Sequence, residues 1–492
     1  VRPVRLGLRE NRAQFTLLVV VNVCVGGLVG LERTTVPLIG TDVFGLTSDL
    51  AVFSFIIAFG VTKALTNLAA GALTARFRRK RLLVAGWLVG VPVPFALAWA
   101  PSWGWIIAAN VLLGLNQGLT WSMTVNMKID LVGPARRGLA TGLNEAAGYT
   151  AVGATALLTG YLATAYGLRP APELIGVVFV TAGLALSLVV RDTAAHVALE
   201  LARHTEPSPA GEGPRALLMD LRGVATPGTF PRSRLLPHSR LRSSGRGPHE
   251  REGPHHRTGH KPKYIQSIYG AFRPARREHA PDAAPSPTEI HQKGPGPAAT
   301  FARTSWRDRS LRGACQAGLV NNLNDGLTWG VFPLLFTDHG LGLAAVGLIK
   351  GLYPILWGLG QIPTGHLADR VGRKPLVVHG MLVQAAGLVL APALLDRPLL
   401  AGVLSAVFLG IGTAMVYPAL IASVSDHAHP AWRANALGTY RFWRDLGYAA
   451  GALTAGVLAD TLGLNATVIA AAALTTASGL LAARWMTERP VR

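Results

Sequence analysis

Long apolar runs recur along this chain. About twelve stretches of roughly 18–25 residues carry few charges, and each is long enough to cross the ~30 Å hydrocarbon core of a bilayer as a helix. Inside lipid every backbone polar group must be satisfied within the protein, so runs of this length fold as helices. The fold class expected is an all-α membrane protein with twelve transmembrane helices. Charged residues make up 15% of the 492, well below the roughly 25% of soluble domains. A soluble enzyme and a disordered chain are both excluded.

The runs lie near 15–39, 48–74, 82–100, 103–126, 138–166 and 171–190, and resume near 311–337, 342–366, 375–394, 398–424, 434–459 and 464–485. A formal charge of +21 would suit nucleic acid if it formed a patch, but Lys and Arg cluster at alternate ends of the runs, as topology signals do. Arg76, Arg78, Arg79, Lys80 and Arg81 follow the second run, and Arg370, Arg373 and Lys374 the eighth. Arg136 and Arg137 precede the fifth, Arg433 the eleventh. The intervening loops carry Asp42, Asp49, Asp338, Asp396 and Asp460. All basic clusters share one face if both termini are cytoplasmic. No cleavable signal peptide is visible, and the first run is expected to serve as its own insertion signal. Cys24 and Cys315 fall within runs, so neither a disulfide framework nor a thiolate metal site is expected.

Three segments follow: a six-helix bundle over 1–200, a cytoplasmic linker over 201–303, and a second six-helix bundle over 304–492. Between about 203 and 300 the chain is rich in Arg, His, Pro, Gly and Ser with no apolar period. Such a composition buries too little apolar surface to offset ordering entropy and predicts disorder. An insertion or out-of-frame stretch is the other reading. His256 and His260 lack the spacing of a zinc site, so no metal and no cofactor are expected.

The two bundles repeat each other. Asp130–Pro134 recurs as Asp426–Pro430, and at the same offset Pro37 matches Pro333, Gly114 matches Gly410, Gly142 matches Gly438 and Gly160 matches Gly456. Gly167-Leu168 likewise matches Gly463-Leu464. Six spans per repeat make the halves parallel, related by an axis along the membrane normal. Such halves around a midplane site are the plan of an alternating-access transporter.

After the eighth run stands Gly365-His366-Leu367-Ala368-Asp369-Arg370-Val371-Gly372-Arg373-Lys374. It resembles the cytoplasmic loop signature of the major facilitator superfamily, G-x-L-A-D-R-x-G-R-K, in full. The counterpart Gly71–Lys80 keeps the first Gly, the Leu and the cations, with Ala75 for Asp and Arg78 for the second Gly. The resemblance covers both membrane halves. It implies a gating loop: Gly365 permits close helix approach, Gly372 a tight turn, and Arg370, Arg373 and Lys374 hold the anionic membrane surface. Asp369 would face the N-terminus of the fifth span, where negative charge is favoured by about 0.3–1 kcal/mol. With Ala75 uncharged, that gate is expected to be asymmetric. The same loop also reads simply as a topology signal.

Ionisable residues at span centres cost about 2.5–3.5 kcal/mol on insertion scales, so each is a functional candidate. Candidates for the substrate and proton site are Glu32 and Arg33 in the first run, and Lys63 with Asn67, four apart, in the second. Asn116 and Gln117 stand in the fourth, Glu145 in the fifth, Asn324 and Asp325 in the seventh, and Arg441, Arg444 and Asp445 in the eleventh. Glu32, Glu145 and Asp325 are the carboxylates able to take up a proton. Lys63, Arg441 and Arg444 would hold them ionised or bind an anionic solute. Arg441 and Asp445 also suit a self-neutralising i,i+4 pair, and Glu32-Arg33 an interfacial one. Aromatic residues Trp121, Tyr353, Trp357, Tyr417, Tyr440 and Trp443 would line the path or pack.

Proton-coupled drug antiporters of the superfamily carry an Arg three residues before a Q-G pair in span four, and a G-P dipeptide in span five. Here Gln117-Gly118 is preceded by Gly114, and span five reads Gly148-Tyr149-Thr150-Ala151-Val152-Gly153. Secondary transport of a small solute across the cell membrane, proton-coupled and outward, is the expectation. Uptake of a small anionic metabolite, a transporter-like membrane sensor and an inactive product are the alternatives. No nucleophile elbow, zinc-protease pair or phosphate loop occurs, so neither an enzyme nor an ATP-driven pump is expected. The partners are a solute, protons and the lipid bilayer, and the protein is expected to be a monomer.

Overall fold

A computed structural model describes residues 4–133, 137–205, 295–429 and 432–488. Most of 201–303, with Pro134, Arg136, Pro430 and Arg489, lies outside the described residues, as does the side chain of Asp369. The N-terminal half comprises α1 (Arg12–Gly30), α2 (Asp49–Arg76), α3 (Arg79–Gly90, continued by Val93–Ala98), α4 (Trp103–Val132), α5 (Arg137–Tyr166) and α6 (Ala171–Val189). The C-terminal half has α7 (Arg309–Asp338), α8 (Leu343–Val371), α9 (Arg373–Ala393) and α10 (Pro398–His427). The helical run Arg433–Trp485 then breaks at Gly463 into α11 (433–462) and α12 (464–485).

Gly463 holds φ at 83°, a left-handed conformation open to a residue without Cβ. Its counterpart Gly167 holds 84°, so the sequence repeat is also a repeat of backbone geometry. Eight helical stretches among the described residues are long and apolar enough to span a membrane, one of them covering both α11 and α12. The remaining long helices, α4, α5 and α7, carry the Asn, Gln, Glu and Asp side chains that lower their hydropathy. α4 extends to Val132 rather than ending near 126, which brings Lys128 inside the protein.

Three local features shape the interior. Ser48 caps α2, its Oγ accepting from the Ala51 N–H at 3.2 Å, and Asp308 caps α7 through the Leu311 N–H at 3.0 Å. α1 unwinds over residues 31–35 ahead of Pro37, which has no N–H to continue the ladder. Glu32, Arg33, Thr34 and Thr35 in that break are all buried.

The halves meet along α2–α11 and α5–α8. A Cβ on Gly153 would stand 2.3 Å from the Gly351 carbonyl oxygen, and one on Gly160 2.8 Å from the Gly347 Cα. Helices this close need small residues at the contact. At the end bearing the basic loops each half is braced within itself. Arg79 Nε lies 3.1 Å from Asp130 Oδ2, and Arg373 Nε 3.4 Å from Asp426 Oδ2. These are equivalent loop arginines on the repeated aspartates. At the opposite end Asp460, closing α11, accepts from Ser48 Oγ and the Asp49 N–H, both at 2.7 Å, so one half caps a helix of the other.

Candidate functional site

The break in α1 turns Arg33 sideways into the junction between the halves. Its Nη1 lies 2.5 Å from Asp325 Oδ1 on α7 and its Nη2 3.1 Å from Oδ2, a bidentate ion pair buried on both sides. The guanidinium sits 4.1 Å from the Trp329 ring centroid, and Trp329 Nε1 donates to the Glu32 carbonyl at 3.1 Å. Charge, ring and backbone thus tie α1 to α7 over two residues. Lys350 on α8, also buried, donates to the Thr328 carbonyl at 2.8 Å.

A second crossing joins α2 to α11. Asp445 takes Lys63 Nζ at 3.9 Å, Asn67 Nδ2 in a short hydrogen bond, and Asn322 Nδ2 at 3.4 Å. Ser122 on α4 donates to Asn67 Oδ1 at 2.6 Å, fixing the amide that faces the carboxylate. Arg444 lies 3.7 Å from Asp445 but donates to neutral oxygens: Tyr417 Oη at 2.9 Å, Asn322 Oδ1 at 3.3 Å and Tyr149 Oη across the junction. Tyr149 stacks on Trp357 with ring centroids 3.5 Å apart. Arg441 is only partly buried, and Asp445 pairs with Lys63 and Arg444 instead.

Glu145 stays within its own half. Trp121 Nε1 and Asn144 Nδ2 each donate to its Oε1 at 3.0 Å, and Asn144 Oδ1 in turn accepts from Lys128. Glu32 accepts from Asn110 Nδ2 at 3.2 Å, and Glu173 on α6 from Thr35 Oγ1 at 3.0 Å. The second oxygens of Glu32, Glu145 and Glu173 are buried without a hydrogen-bond partner.

The remaining candidates brace single halves. Asn116 donates to the Gly86 carbonyl at 2.8 Å and Gln117 to the Val25 carbonyl at 3.0 Å. Asn324 links α7 to Gln384 on α9 and Thr475 on α12. In the loop after α8, Gly372 turns the chain with φ 100°, and Glu488 accepts from the Arg373 and Lys374 N–H groups. Arg370 is exposed and Gly365 has open space where a Cβ would stand. No group of His, Cys, Asp and Glu among the described residues could hold a metal ion.

Sequence reasoning did not single out Lys128, Glu173, Lys350 or, as a site residue, Tyr149. Lys350 had a signal: it stands alone about two turns inside an apolar run. Glu173 and Lys128 lie where the span boundaries were drawn, and a charge at a boundary reads as interfacial.

The sequence profile of the Major Facilitator Superfamily matches residues 17–240 and 315–492, in both halves. Among curated proteins, the chain is 33% identical over 144 residues to the inner membrane transport protein YajR of Escherichia coli, covering 28% of this chain and 30% of that one. It is 24% identical over 152 residues to the inner membrane transport protein YnfM of Escherichia coli, covering 31% and 36%. To the multidrug resistance protein MdtH of Yersinia enterocolitica it is 50% identical over 74 residues, covering 14% and 18%. These matches span little more than a third of any relative's length.

Proposed function

The chain belongs to the Major Facilitator Superfamily, and from that premise we propose that it is a proton-coupled secondary transporter. It exports a small solute across the cell membrane by alternating access, as a monomer with both termini cytoplasmic. The observation that carries this reading is the pair of buried charge crossings, Arg33–Asp325 and Lys63–Asp445, that join the halves at mid-depth. The basic loops mark the cytoplasmic end, so the contacts of Asp460, Gly160 and Gly347 close the outer end. In this scheme the solute enters when the cytoplasmic end opens.

A proton arriving from outside meets Glu173 and Glu32 first, each a buried carboxyl with one unpartnered oxygen. Protonating Asp325 removes the negative partner of Arg33, and the mid-depth junction loses one of its two charge crossings. Rocking of the halves then exposes the solute outward. Solute-induced proton movement in proteoliposomes tests this, with a pH-sensitive dye inside and a panel of sugars, amino acids, organic anions and lipophilic cations outside. Wild type is expected to move protons with one solute class, and E32Q, E145Q and D325N are each expected to impair gradient-driven transport. Full gradient-driven transport by all three variants would defeat the proton-site assignment.

A further inference from the structure

The junction brings together more basic than acidic side chains. Arg33, Lys63, Lys350 and Arg444 meet two carboxylates, Asp325 and Asp445, and all six are at most 5% exposed. Arg33 has Asp325 to itself in a bidentate pair, whereas Arg444, whose guanidinium cannot be deprotonated, shares Asp445 with Lys63 at 3.7 and 3.9 Å. Lys350 is held by a carbonyl oxygen and Arg444 chiefly by two phenolic hydroxyls and an amide. These neutral oxygens occupy positions that anionic oxygens would fill with stronger, charge-assisted bonds.

We infer that the transported solute is a small aromatic organic anion whose carboxylate or phosphate binds Arg444. This rests on the transporter reading above and specifies its substrate class. Tyr149 and Trp357 already stack face to face beside the guanidinium, and Tyr353 stacks on Trp357 with centroids 5.9 Å apart. When the junction opens, a planar solute ring can take the place of Tyr149 on the Trp357 face. Its anionic group displaces the Tyr149 hydroxyl, which comes from the N-terminal half, from Arg444 of the C-terminal half. Binding thereby trades a contact between halves for one to the solute, which links occupancy to rocking.

The test uses the full chain in nanodiscs and three isosteric probes: naphthoate, neutral naphthamide and cationic naphthylmethylammonium. Tryptophan quenching reads binding, and counterflow in proteoliposomes reads transport. Naphthoate should bind at least about tenfold tighter than naphthamide, roughly 1.4 kcal/mol, with the cation weakest. R444Q should reduce the ratio to near one, while R397Q, at an exposed arginine between α9 and α10, keeps it. If R444Q fails to fold, Y149F serves instead: freeing the guanidinium of its competing hydroxyl should tighten naphthoate and leave naphthamide unchanged. Equal or tighter binding of the amide or the cation overturns the inference, as does a ratio that survives R444Q or is unmoved by Y149F. Proton-linked counterflow of a neutral or cationic solute overturns the anion assignment and leaves the transporter reading intact. Anion-selective binding without counterflow of any solute does the reverse.

Discussion

Removing one member of a buried ion pair leaves the other charge stranded in low dielectric, which costs about 3–5 kcal/mol, whereas removing both costs much less. R33Q and D325N should each lower the thermal midpoint in detergent sharply, and R33Q/D325N should recover most of the loss. Equal destabilisation of the double variant would mean that the two side chains act separately. Which residues are buried was legible at this scale: a charge or amide well inside an apolar run has nowhere to go but inward, and Glu32, Lys63, Glu145, Asp325 and Asp445 are all at most 5% exposed. Pairing was not legible. Helical periodicity relates residues three or four apart and so sets Arg441 against Asp445, but it says nothing of which cation meets Glu145 or Asp325. The partner of Asp325 is Arg33, 292 positions away, and nothing in a single sequence encodes that match.

The contact at the end opposite the basic loops is a matter of helix ends. Asp460 accepts from the first N–H groups of α2, where the unsatisfied donors and the helix dipole favour a carboxylate by about 0.3–1 kcal/mol. D460N keeps the shape and loses the charge. It should raise the outward-open population by about two- to fivefold, read as faster thiol labelling of a cysteine at Phe53, whose side chain is buried on α2 against Gly330 of the other half. Unchanged labelling would reduce Asp460 to a surface acid. A bulky side chain at Gly153 acts on the same closure from α5: G153V meets the Gly351 carbonyl oxygen and should also hold the outer end open, with transport falling at least about tenfold. The helices themselves were legible because run length and hydropathy set them. The break over 31–35 was not, since Pro37 marks the neighbourhood of a break while packing against α4, α6 and α7 decides where the chain unwinds.

Alternating access requires both ends to open in turn, so holding one end shut must stop transport without destroying the site. Ser48 Oγ and Asp460 Oδ2 stand 2.7 Å apart at the end opposite the basic loops, on opposite halves. Cysteines at these two positions, in a background where the buried Cys24 and Cys315 are replaced, can be joined by a short bifunctional thiol reagent. Joined, the protein should bind solute from the cytoplasmic face with unchanged affinity and transport none. Cleaving the linker should restore transport to the level of the unjoined variant, which already lacks the Asp460 carboxylate and so leaks toward the outward-open state. Transport through the joined protein would show that the halves move elsewhere than at this end, and with that the rocking scheme would fail as a whole. The parallel halves this experiment relies on were legible from the Gly and Pro offsets alone, because a duplicated half must keep its turns and close contacts. What was not legible is the asymmetry of that end: that Asp460 on α11 caps α2 of the other half appears only when it is seen at the N-terminus of α2. Position 164, its counterpart in the repeat, is a threonine bonded back to its own helix at Gly160.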